Sequence, residues 1–275
     1  MKKNYLPAKA FLFLFLLMFI FLPFIPLVLT SFSYNWIWPN AMPESFSLSA
    51  WDYVLFDNSS TWQAIGVSLL IAFIVTAVNI ILAVPAANAF VRYPLRGKWL
   101  FEAIIFAPIV IPPFVAVMGI HLTFLRIGLT ETIFGVVLAH ISPTLPYVVR
   151  AAITSYSTLS VDWENQARML GAGPFSRFYH VVLPHLMPGI AAGASLSILI
   201  SLSQYLITFI IGSGQVMTLP ILLFPFISGG DPAIASSYSL LFAGMAIVAL
   251  LILDLALKRY YKKKQAAAAI KGVRE

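Results

Sequence analysis

Residues 162–190 read DWENQARMLGAGPFSRFYHVVLPHLMPGI, a polar and basic island set between long apolar runs. Ser160 can cap a helix beginning near Val161, and Asp162 and Glu164 place negative charge in its first turn, at the positive end of the helix dipole. Trp163, Ala167 and Leu170 recur at helical spacing and form one apolar stripe, while Glu164 and Arg168 stand one turn apart on another face. Gly171 suits the left-handed residue that ends a helix, and Pro174 suits the first turn of the next. Helix, tight turn and second helix are the predicted shape. Further on, Pro184 and the pair Pro188-Gly189 are expected to bend the backbone where it leaves the island.

The surroundings decide what kind of fold holds this island. Of 275 residues, 60% are hydrophobic and only 10% charged, and the mean hydropathy is +0.92. Those values exclude an ordinary soluble domain and fit an all-α membrane protein. The absence of cysteine removes disulfides and thiolate metal sites. A span needs about 20 apolar residues to cross the hydrocarbon. Six stretches meet this, at about 10–32, 64–91, 99–122, 133–149, 186–211 and 233–257. The first, long and with no small-x-small cleavage site after it, reads as an uncleaved span rather than a secretory signal. The loop after it carries the interfacial aromatics Trp36, Trp38 and Trp51. Pro108 and Pro112-Pro113 must kink or open the third span. The segment 216–227, about twelve residues with Pro220 and Pro225, is too short to cross and reads as a half-helix.

Charge sets the predicted orientation. Three of the seventeen basic residues precede the first span, three follow the second, three follow the fourth and seven lie beyond Leu257. Only Arg126 is left for the other side. Under the positive-inside rule both termini and the island are cytoplasmic. The organisation expected is therefore a cytoplasmic N-terminus over 1–9, a transmembrane body over 10–257 with the island loop at 157–185, and a basic cytoplasmic tail over 258–275, its end, 265–275, mobile. The formal charge of +7 belongs to that asymmetry, not to nucleic-acid binding.

The island resembles the cytoplasmic loop of permease subunits of binding-protein-dependent ABC importers, the polyamine, iron and phosphonate types among them. Their motif runs approximately E-A-A, three residues, G, about nine residues, an apolar residue, then L-P and P-G-[IVL]. Gly171, Leu183-Pro184 and Pro188-Gly189-Ile190 stand at the matching offsets, but the acidic position holds Asn165, so that E-A-A reads N-Q-A. Glu164 points about 100° away around the helix and is a poor substitute. The resemblance implies a coupling helix between the fourth and fifth spans of a six-span permease. Trp163, Asn165, Ala167, Leu170, Gly171, Pro184, Pro188 and Gly189 would then meet a cytoplasmic ABC ATPase, with a hydrogen bond from Asn165 replacing the family's salt bridge. The same stripe could instead pack on the chain's own helices. Implied partners are an ATPase dimer that binds ATP and magnesium, a second permease, homologous or identical, an extracytoplasmic solute-binding protein and the lipid of a bacterial inner membrane.

The spans hold almost no buried acids: Glu102 and Asp254 lie near span ends. A proton- or sodium-coupled secondary carrier, or an intramembrane enzyme, would need such groups. No Walker-type loop is present, so this chain binds no cofactor by that route, and His121, His140, His180 and His185 show no metal-ligand spacing. A translocation path for a small polar, polyamine-like solute is expected around Pro112, Pro113, Ser201, Ser203, Gln204, Tyr205 and Thr208. Those hydroxyls would serve equally as helix-packing groups.

Overall fold

The structure, a computed structural model, describes residues 6–34, 36, 40 and 42–272, with side-chain surroundings within 13–259. Trp38 and the terminal basic residues Lys2, Lys3 and Arg274 lie outside the described residues. The helices are α1 (Leu6–Phe21), α2 (Phe24–Ser31), α3 (Ser49–Asp52), α4 (Ser60–Arg92), α5 (Lys98–Val110), α6 (Pro113–Arg126) and α7 (Ile133–Thr158). They continue as α8 (Val161–Met169), α9 (Pro174–Arg177), α10 (Leu183–Leu202), α11 (Tyr205–Gly212), α12 (Leu219–Gly229) and α13 (Pro232–Gly272). Two π turns, Tyr53–Asp57 and Phe178–Val182, complete the helical segments. Among the described residues, five stretches are long and apolar enough to cross a membrane: Phe13–Ser31, Ser60–Arg92, Ile133–Thr158, Pro174–Leu202 and Pro232–Arg259. Six result if α5 and α6, bent by 107° at their junction, count as one broken span.

The third span opens where Pro112-Pro113 lead one to expect it: Ile111 and Pro112 are extended and Pro113 opens α6 at its first turn, where a missing N–H is harmless. Other boundaries move from those expected. The fourth span runs nine residues beyond Val149, to Thr158, because nothing between Arg150 and Thr158 breaks a helix. The fifth span ends at Leu202 and restarts at Tyr205. The corner expected at Pro184 and Pro188 is absent. Pro174–Leu202 is one helical run, in which Pro184 falls in the first turn of α10, just after the π turn. The tail, expected to be mobile from residue 265, continues α13 as helix to Gly272.

The chain forms two compact units. One draws on Met1–Ala64 and Leu222–Gly244. Within it Tyr238 is fully buried, its hydroxyl 2.8 Å from Thr61 Oγ1 and 3.0 Å from Asn58 Nδ2. Phe226 stacks on the Tyr238 ring at 5.4 Å. A short antiparallel bridge joins Ser33 and Phe46. The other unit draws on Ile65–Ile221 and Met245–Glu275 and holds the island. Its axis is the pairing of α7 with α10. There the backbones approach closely because Gly189 and Gly193 face α7: a Cβ on Gly193 would stand 3.0 Å from Val148 Cα, the small-residue contact typical of membrane helices. One apolar cluster gathers Ala83, Ala87, Val148, Val149, Leu186 and Ile190, and another Ile71, Val75, Val117, Val136, Ile207 and Ile211. Along α4 and α7 the buried polar residues Thr76, Asn79, His140 and Thr144 fall between these two clusters.

Candidate functional site: a polar seam at a broken helix

Asn79 on α4, fully buried, donates through Nδ2 to Thr144 Oγ1 on α7 at 2.7 Å and to Ser197 Oγ on α10 at 3.0 Å. Thr76 Oγ1 donates to the same Ser197 oxygen at 2.9 Å. One turn further along α10, Ser201 Oγ lies 3.0 Å from His140 Nδ1, and His140 Nε2 lies 3.0 Å from Thr208 Oγ1 on α11. Thr208 commits its hydroxyl proton to the Gln204 carbonyl at 2.7 Å. Its oxygen must therefore accept from His140, which puts the ring proton on Nε2 and leaves Nδ1 to accept from Ser201. His140 thus staples α10 to α11 across the break, touching the last turn of one and the first of the other.

At the break Ser203 (φ −83, ψ 0) and Gln204 (φ −76, ψ 85) leave helical geometry. Ser203 is exposed, Gln204 and Tyr205 are half-buried, and Ser201 and Thr208 are buried. Unwound backbone at membrane depth is tolerated where it lines protein or a water-filled cavity, and broken helices of this kind form solute sites in transporters. The carbonyl of Asn79, Oδ1, is buried without a partner. Of the expected path residues, the structure brings Ser201 and Thr208 together through His140 and places Ser203, Gln204 and Tyr205 at the break. Pro112 and Pro113 are exposed and shape the bend between α5 and α6; α6 reaches α11 through Val117, which shares a cluster with Ile207 and Ile211.

Sequence reasoning missed Thr76, Asn79, His140, Thr144 and Ser197 as members of one network. The signal was available as i,i+4 pairs of polar residues, His140 with Thr144 and Ser197 with Ser201, which share a helix face. Asn79→Ala should cost about 1–3 kcal/mol, because Thr144 and Ser197 lose a buried partner. A drop in the midpoint of thermal aggregation in detergent checks this.

The island takes the form expected locally. Ser160 Oγ accepts from the Asp162 N–H at 3.2 Å, α8 begins at Val161, Gly171 has φ +82 and α9 begins at Pro174. Trp163 is 63% exposed and Leu170 88%, and Met169 and Phe175 are exposed beside them. Asn165 is exposed and Ala167 half-buried. Among the described residues, Trp163 and Leu170 of the stripe are left largely uncovered, and Ala167 is partly covered. Pro184 is half-buried, Pro188 exposed, and Gly189 buried against Ala151 and Ser155 of α7. Glu164 does not pair with Arg168; its Oε1 accepts from Arg92 Nη2 at 2.8 Å. His185 Nε2 lies 3.0 Å from Thr158 Oγ1, and His180 Nδ1 2.9 Å from the Ser176 carbonyl. Among the described residues no group of three or more His, Asp or Glu could hold a metal ion.

The chain is 27% identical over 245 residues to a candidate 2-aminoethylphosphonate transport permease, PhnV, of Salmonella typhimurium (strain LT2), covering 88% of this chain and 91% of that protein. It is 25% identical over 214 residues to the spermidine/putrescine transport permease PotC of Escherichia coli (strain K12), covering 76% and 78%. Its fold is similar to a chain of a bacterial ABC transporter for import of the acidic polysaccharide alginate, at TM-score 0.66 and 17% identity over 92% of this chain and 95% of that one. Residues 79–265 match the model of the inner membrane component of binding-protein-dependent transport systems, a stretch that takes in the whole island and the polar seam apart from Thr76, so the chain belongs to that family.

Proposed function

We propose that the seam at the α10–α11 break is the solute path of an ABC importer permease and that the island is its contact with a cytoplasmic ATPase. As a transport subunit of this family the chain is not itself an enzyme; on this reading hydrolysis of ATP with magnesium belongs to a partner ATPase dimer. The single observation that carries the coupling assignment is the exposure of Trp163, Met169, Leu170 and Phe175 around a left-handed Gly171. Apolar surface gathered on so short a segment calls for a partner that covers it. The distribution of Lys and Arg supports a cytoplasmic island and cytoplasmic termini in a bacterial inner membrane. A second permease copy or homologue and an extracytoplasmic binding protein complete the reading. The solute is small and polar, met at the break by the neutral groups of Ser203, Gln204 and Tyr205, with Ser201 and Thr208 holding the break in place through His140, and it shares with the phosphonate and polyamine substrates of the relatives a need for hydrogen-bond partners.

Because the chain has no cysteine, single-cysteine labelling is direct. Trp163→Cys should react with a membrane-impermeant maleimide in inside-out vesicles and not in right-side-out ones. Reaction from outside alone refutes the orientation. Leu170→Asp, which puts a charge into the covered surface, should reduce copurification of the ATPase on the order of tenfold, about 1.4 kcal/mol in association, while the permease remains in the membrane. Undiminished copurification would remove the island from the contact. Uptake that persists in vesicles without any ATPase would favour a secondary carrier.

A further inference from the structure

Arg92 ends α4 and gathers three helix ends at one cation. Its Nη2 donates to the Leu159 carbonyl at 3.0 Å and to Glu164 Oε1 at 2.8 Å. Leu159 is the C-cap of α7, and Glu164 lies in the first turn of α8. Each charge sits where the helix dipoles favour it: the C-terminal ends of α4 and α7 attract the guanidinium, and the first turn of α8 favours the acid. The two side chains are only 15% and 28% exposed, so the pair is shielded from water more than a surface salt bridge. Only two residues, Leu159 and Ser160, separate α7 from α8. A guanidinium that holds the last carbonyl before this joint and the acid just after it fixes the angle of the joint.

We infer that Arg92 and Glu164 form an internal clamp that sets the angle of α8 on α7 and ties the island to α4, leaving Asn165 as the acceptor offered to a partner. Glu164 is committed within the chain, whereas Asn165, about 100° further around α8, is exposed. The clamp gives motion of the island a continuous helical route inward, past Pro85. Asn79 lies thirteen residues before Arg92 on the same helix, about 20 Å along its axis, so a push on α8 reaches the helix that carries the polar seam. This rests on the reading of the island as the ATPase contact, and the experiment separates the two.

The first measurement needs the permease alone. Spin labels at Asn88→Cys on α4 and Gln166→Cys on α8 should give a narrow distance distribution that broadens in Glu164→Gln and in Arg92→Gln. Arg92→Lys should stay narrow, because both bonds leave one nitrogen and an ammonium can make both. Equal widths in all variants overturn the clamp. The second measurement uses the reconstituted complex with its ATPase and binding protein. Glu164→Gln and Arg92→Gln should still copurify the ATPase, but solute taken up per ATP hydrolysed should fall about tenfold, a coupling change of ordinary size, and Arg92→Lys should restore most of it. An unchanged ratio in the Gln variants also overturns the proposal. If the unsubstituted chain fails to copurify the ATPase, the coupling reading falls while the spin-label distances still judge the clamp.

Discussion

Replacing Gly189 by leucine should remove most of the folded protein from the membrane. A Cβ at this position would lie 2.6 Å from the Ala151 carbonyl oxygen and 2.9 Å from Ser155 Cβ, and the first of these is backbone that cannot rotate away. The α7–α10 contact would have to open along its length, which also lifts Gly193 from Val148 one turn later. Overpacking of this kind costs about 3 kcal/mol or more when the neighbours cannot yield. Size-exclusion chromatography of a fluorescently tagged variant reads the outcome as loss of the monodisperse peak. Gly66→Leu and Gly119→Leu serve as controls, since a Cβ at either meets nothing within 4 Å. A normal peak from Gly189→Leu would show that the two helices do not pack as described.

The second large effect is expected at Gly171, and there the protein should fold and fail only in coupling. The residue sits at φ +82 and donates its N–H to the Arg168 carbonyl at 3.0 Å. Proline can adopt neither the angle nor the bond. Gly171→Pro should therefore cost about 3 kcal/mol in forming the turn, roughly a hundredfold in association with the ATPase. Gly171→Ala, which keeps the N–H and meets no neighbour within 4 Å, carries only the left-handed penalty of about 1–2 kcal/mol and should retain partial uptake. Equal uptake in the two variants would sink the argument that the left-handed turn matters.

The contrast between these sites and the seam shows what a sequence can reveal. Ser160, Gly171 and Pro174 act on neighbours within a few residues, through capping, chirality and a missing donor, and each does in the structure what local rules predict. Span length is equally local, and the paired prolines at 112 and 113 mark where the third span opens, though not that it turns by 107°. The break at Ser203 and Gln204 has no proline or glycine to announce it. It is held by His140, more than sixty residues away in sequence. Arg92 and Glu164 are separated by 72 residues, so neither residue's neighbours indicate the other. Gly189 was legible as a helix-perturbing residue beside Pro188. Its part in bringing α7 and α10 together depends on which face the helix presents, and that phase is altered upstream by the π turn.

That turn, Phe178–Val182, has a consequence for how the chain tolerates changes in length. A π turn is an α-helix carrying one surplus residue. Elsewhere in a span, gaining or losing a single amino acid swings everything beyond it by about 100° and would carry Leu186 and Ile190 off their apolar cluster. Between Arg177 and Leu183 a one-residue deletion would merely relax the wide turn to an ordinary one, leaving both flanks in phase. It is the place in this helical run where homologous sequences can differ by one position while their buried stripes stay aligned.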